Sequence, residues 1–106
     1  MFATNFTVHS DDLRYTRGRE LVKTYTQSKT IASHNSMTNY FCGTCGTLLN
    51  RVSSGMPELN FVRVGLVDDL RLHDTVLKPR VELFVDTRVE WLQPVEGVAQ
   101  CHGQGR

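Results

Sequence analysis

Two cysteines three positions apart, in Phe41-Cys42-Gly43-Thr44-Cys45-Gly46, are the residues best suited to chemistry in this chain. Thiolates at this spacing grip one tetrahedral Zn²⁺ in a knuckle. A glycine after the second cysteine lets the backbone turn through the left-handed region and aim N–H groups at the sulfurs. Gly43 and Gly46 supply that freedom. Two other readings stay open. A thioredoxin-like redox pair calls for a helix opening at the first cysteine, and the β-prone residues after Gly46 do not offer one. The third reading is a pair of inert thiols on a hairpin.

A knuckle is half a site, because structural zinc takes four ligands. Cys101, with His102 beside it, is the candidate third ligand; Gly103 and Gly105 nearby favour a loose tail instead. His9, His34 and His73 stand alone in the sequence, without the paired spacing of a histidine metal motif. Asp68-Asp69 offers carboxylates for acid/base work, but a turn and helix cap is the favoured reading. Arg63 and Arg80 lie in strand-like runs, as substrate-anion clamps or, more often, ion-pair partners on an edge strand. No Ser/His/Asp order, phosphate-cradling loop or catalytic carboxylate pair stands out.

The elements that must position these groups come from a chain of 106 residues, the length of one small domain. With 40% apolar and 22% charged residues, it reads as neither a disordered tail nor a membrane protein. Twelve Lys+Arg against eleven Asp+Glu give +1 with no basic block, which argues against nucleic acid as a partner. No apolar run is long enough to span a membrane, and the start resembles no signal peptide, so a cytoplasmic address is expected. Three cysteines do not make a secreted disulfide framework.

Short alternating runs dominate. Phe2, Phe6 and Val8 share a face, and Leu21–Tyr25 is β-branched and aromatic. Residues 27–36 read as a wide polar loop between strands, and Met37–Phe41 as a strand leading into the first cysteine. Thr47–Val52 is predicted as a strand closing at Ser53-Ser54-Gly55. Leu59–Val64 follows, with Val62, Val64 and Leu66 on one face. Asp68–Leu72 is the one expected helical turn, with acidic residues at its start. Arg80–Val85 alternates again, and Trp91-Leu92 is expected to anchor the end of the core. The predicted class is mainly β, with antiparallel sheets, a zinc knuckle and very little helix. The domain is expected over 1–97, with a flexible tail over 98–106.

The order of five segments resembles the glutathione-dependent formaldehyde-activating enzyme family, which includes centromere protein V. They are Leu21–Tyr25, Tyr40–Leu49 with the cysteine pair, Val62–Asp69, Leu77–Phe84 and Arg88–Leu92. The resemblance runs from about Phe2 to Gly97. It implies an Mss4-like all-β fold and a zinc-dependent carbon–sulfur lyase that condenses formaldehyde with glutathione to S-hydroxymethylglutathione. It also implies two zinc sites. The structural one joins an early C-x-C to a later C-x-x-C, which Cys42 and Cys45 match; the catalytic one is held by a C-x-C-x-x-C. The 106 residues contain neither the early C-x-C nor the catalytic triplet. In the family both precede the segment that Phe2–Phe6 resembles, so the domain is expected to lack its front.

The resemblance therefore predicts zinc at a structural half-site, Cys42 and Cys45, with no catalytic residues in this chain and no catalytic zinc site. It implies glutathione adducts as the ligands of intact relatives. The alternative is a non-enzymatic zinc-knuckle module that self-associates through an exposed sheet edge.

Overall fold

The computed structural model describes residues 2–29 and 34–103. The chain divides into two compact units, Asn5–Asp68 and the flanking Met1–Thr4 with Asp69–Arg106. Among the described residues the regular structure is all strand, joined by short 3₁₀ turns. No helix among them is long and apolar enough to cross a membrane.

The first unit holds β1 (Asn5–His9), β2 (Val22–Gln27), β3 (Met37–Cys42), β4 (Leu48–Ser53) and β5 (Met56–Arg63) in one antiparallel sheet, in the order β1-β5-β4-β3-β2. Each strand matches an alternating or β-branched run, as the sequence predicts. The β4–β5 hairpin turns at Ser54-Gly55, where expected. Residues 30–33 of the predicted wide loop lie outside the described residues, as do 104–106 of the predicted tail.

The pairing sorts side chains onto two faces. Phe6 and Val8 of β1 stand opposite Val62 and Asn60 of β5; Val62 in turn faces Asn50 of β4, and Asn50 faces Tyr40 of β3. Because side chains alternate along a strand, these residues share one face. Phe61, Arg51 and Asn39 share the other, where the Arg51 Nε–H donates to Asn39 Oδ1 at 2.8 Å. A bulge at Leu49 shifts the β3–β4 register between Tyr40 and Phe41.

β1 and β2 lie at opposite edges, so residues 10–21 must cross the whole sheet. Four strand spacings of about 4.8 Å make that a path of roughly 19 Å, well within the reach of twelve residues. The strap carries two 3₁₀ turns, Ser10–Asp12 and Arg19–Leu21. It lies over the Tyr40/Asn50/Asn60 face, since Leu13, Arg14 and Tyr15 line cavities together with those residues.

The second unit is sparser. β6 (Val81–Glu82) and β7 (Ala99–Gln100) pair in parallel. The strand expected over Arg80–Val85 is thus only two residues long, because Phe84 turns into the left-handed region (φ 55°) and a 3₁₀ turn follows at Val85–Thr87. The helical turn expected at 68–72 forms over Leu70–Asp74, capped by Asp69, whose Oδ1 accepts from the Arg71 N–H at 3.1 Å. Trp91 does not anchor the core as expected: it is 68% exposed, at the corner of a turn closed by the Leu92 N–H to the Val89 carbonyl. Within the stretch read as a tail, Val98 is buried, and the Cys101 N–H donates to the Glu82 carbonyl at 2.8 Å. Glu82 also receives the Val95 N–H at 2.8 Å and pairs with Arg88.

Val64 and Val98 are the buried apolar residues among those described, and Asn50, Ser53 and Asn60 are the buried polar ones. The large apolar side chains of the sheet are half-buried or exposed.

Candidate functional site

The cysteine pair lies on the turn between β3 and β4. Cys42 ends β3, and the pairing of β2 with β3 continues past it, since the Gly43 N–H donates to the Leu21 carbonyl at 2.8 Å. That approach is close: a Cβ on Gly43 would lie 2.6 Å from the same carbonyl oxygen. The turn closes with the Gly46 N–H on the Cys42 carbonyl (2.8 Å) and the Cys42 N–H on the Thr47 carbonyl (2.9 Å). Gly46 sits at φ 80°, the left-handed conformation that favours glycine.

This backbone path points two amides at one sulfur. The N–H groups of Thr44 and Cys45 donate to Cys42 Sγ at 3.4 and 3.5 Å. They favour the charged form, so the Cys42 thiol is pulled down to about 7, first by the Cys45 amide and then by that of Thr44. Cys45 Sγ lies 3.1 Å from Thr47 Oγ1. All three cysteines are free thiols, Cys42 half-buried and Cys45 exposed.

Two thiols at this spacing could hold a soft, tetrahedral cation, and the amides that favour the Cys42 thiolate suit that role. They would be two ligands of four. No three His, Cys, Asp or Glu side chains gather as a metal site among the described residues. Cys101 belongs to the other unit.

The His9 ring nitrogen Nδ1 accepts from the Asp11 N–H at 3.2 Å, capping the first strap turn. His34 is exposed, and His73 lies in the Leu70–Asp74 turn. Asp69 caps that turn and pairs with Arg71 at 3.0 Å, which holds its carboxyl below the usual range. Arg63 is half-buried, and burial followed by the charge of Arg51 lowers its pKa. Arg80 is exposed. Neither Arg63 nor Arg80 forms an ion pair among the described residues.

One feature escaped the sequence reading. Between strap and sheet lies a cavity of about 310 Å³, lined by Arg14, Tyr15 and Arg19 from above and by Tyr40, Asn50 and Asn60 from below. The Asn50 Nδ2–H donates to Asn60 Oδ1 at 2.8 Å, and the Asn60 Nδ2–H to Ser10 Oγ at 3.1 Å. The signal was present as an asparagine inside each of two strand runs, Leu48-Leu49-Asn50 and Leu59-Asn60-Phe61.

A family model described as glutathione-dependent formaldehyde-activating enzyme matches residues 1–87. No curated protein and no solved structure matches the chain.

Proposed function

The chain belongs to the glutathione-dependent formaldehyde-activating enzyme family, and from that premise we propose that it serves formaldehyde–glutathione chemistry of the carbon–sulfur lyase type. The match over residues 1–87 carries this reading. In that chemistry the glutathione sulfur attacks the formaldehyde carbon, a C–S bond forms, and the carbonyl oxygen ends as a hydroxyl after taking a proton. The reverse step breaks the same bond.

The part assigned to this chain is that of scaffold and metal half-site. Cys42 and Cys45 would hold a structural zinc, which when bound clamps the β3–β4 turn. The Thr44 and Cys45 amides support that role by stabilising the Cys42 thiolate. A catalytic zinc needs three protein ligands and an open position. The described residues present no such cluster, so no step is assigned through that ion. The 106 residues by themselves are accordingly proposed to be inactive.

The test is to incubate the purified chain with zinc, glutathione and ¹³C-formaldehyde, and to follow S-hydroxymethylglutathione by NMR. The adduct is expected at the uncatalysed rate. Zinc measured by elemental analysis is expected below one per chain and lost in Cys42→Ser. Chelator-sensitive acceleration would refute the inactive reading, and unchanged zinc content in Cys42→Ser would refute the half-site. A second reading is supported by the outer edges of β1 and β2, which carry no partner strand among the described residues. In it, a non-enzymatic module pairs edge to edge, and two chains supply four thiolates to one ion. Native mass spectrometry would then show a zinc-containing dimer, whereas a zinc-free monomer at micromolar concentration overturns this second reading.

A further inference from the structure

We propose that the cavity between the strap and the sheet binds a small amphiphilic carboxylate. The larger chamber, about 310 Å³, is at the low end of small-molecule pockets, which run from ~300 to 1,000 Å³. Its lining includes two arginines and no acidic residue. Neither Arg14 nor Arg19 has a carboxylate partner among the described residues. A guanidinium presents a planar fork of donors that matches a carboxylate in two parallel hydrogen bonds. The Arg19 guanidinium stands 5.8 Å from the centre of the Tyr15 ring, a contact that limits its wandering.

The floor is built rather than incidental. Asn50 and Asn60 are 5% and 7% exposed, and their mutual hydrogen bond, with the further bond to Ser10, fixes the orientation of both amides under the chamber. Such a floor keeps its polar atoms in place without rearrangement when a ligand arrives.

The second half of the ligand follows from the adjoining groove. A pocket of about 170 Å³ shares Leu13, Arg14, Tyr15 and Asn50 with the chamber and extends it over Leu49, Val62 and Leu66. The bulge at Leu49 and the pairing of Asn50 with Val62 set these apolar side chains beside the polar floor. An anionic head near the arginines and a short apolar body over Leu49 and Val62 satisfy both halves. A purely ionic ligand leaves the groove wet, and a purely apolar one leaves the arginines unused.

This inference does not rest on the proposed function. Its test is an amide NMR titration of the full chain with three probes: hexanoate, hexan-1-ol and acetate. Hexanoate is expected to shift the amides of Leu13, Arg14, Asn50 and Asn60 saturably, and to bind more tightly than either other probe. Both arginines are exposed, so Arg14→Gln and Arg19→Gln should leave the melting temperature unchanged. Each should weaken hexanoate roughly five- to tenfold, a charge-assisted hydrogen bond discounted for solvent. Binding of hexan-1-ol should be unaffected by either change. Absence of saturable shifts, equal binding of the alcohol, shifts located elsewhere, or variants that bind hexanoate like the parent would each overturn the proposal.

Discussion

Replacing Asn60 by alanine should destabilise the five-stranded sheet by about 2–3 kcal/mol. Asn60 accepts from the Asn50 amide at 2.8 Å and donates to Ser10 Oγ at 3.1 Å, with a longer contact of 3.5 Å to the Val8 carbonyl. Truncation leaves the Asn50 Nδ2–H without its acceptor in a side chain that is 5% exposed. An orphaned buried donor costs about 1–3 kcal/mol. Loss of the Ser10 bond adds about 0.5–1 kcal/mol, reduced because water reaches the exposed serine. The long Val8 contact adds little. Asn50→Ala should cost about 1–2 kcal/mol by orphaning Asn60 Oδ1 instead. In the double variant nothing is left unpaired within the pair, so its cost should fall about 1 kcal/mol short of the sum. At roughly 4–8 °C per kcal/mol for a domain of this size, Asn60→Ala should melt about 10–20 °C lower. Far-UV circular dichroism in a urea series is the suitable assay, because it reads the sheet's backbone directly, whereas the single tryptophan, Trp91, belongs to the other unit. A loss below about 0.5 kcal/mol in Asn60→Ala, or strict additivity in the double variant, would show that the two amides do not depend on one another.

Alkylation of Cys42 by iodoacetamide, followed by peptide mass spectrometry, should rise with pH through a midpoint near 7. The sign follows from the cause: amide donors favour the thiolate, so the reactive form persists to lower pH than in an ordinary thiol, near 8.5. A midpoint above 8 would mean that the Cys45 and Thr44 amides do not face the sulfur in solution. Gly43→Ala should destabilise the β3–β4 turn by about 1–3 kcal/mol, since the new methyl meets the backbone oxygen of Leu21, which cannot swing aside. Faster amide exchange at Gly43 and Gly46 is the expected readout, and parental exchange rates would refute the close approach.

The strands of the sheet were legible because each announces itself locally. Alternation at Phe6/Val8, the β-branched run at Val22–Tyr25 and the apolar runs flanking Asn50 all act within a few residues. The cysteine turn was legible for the same reason: its geometry depends on four consecutive residues and on the left-handed Gly46. The Asp69 cap is likewise local, a side chain bonding an amide two positions on. The expectation at Trp91 failed because size and apolarity describe a residue, whereas burial depends on what the rest of the chain brings against it. The run from Arg80 to Val85 failed as a long strand because its partner, Ala99–Gln100, offers only two residues to pair.

By itself, then, the sequence determined the β class, the sheet strands to within a few residues, the family, and the glycine-flanked turn that carries Cys42 and Cys45. Tertiary structure alone decided that β1 pairs with β5, some fifty residues away, so that residues 10–21 must cross the sheet as a strap. That crossing set Arg14 and Arg19 over a floor made by Asn50 and Asn60. A period-two pattern says which side chains share a face of one strand. It carries no record of which strand lies beside it, and the asparagine floor exists only through that choice.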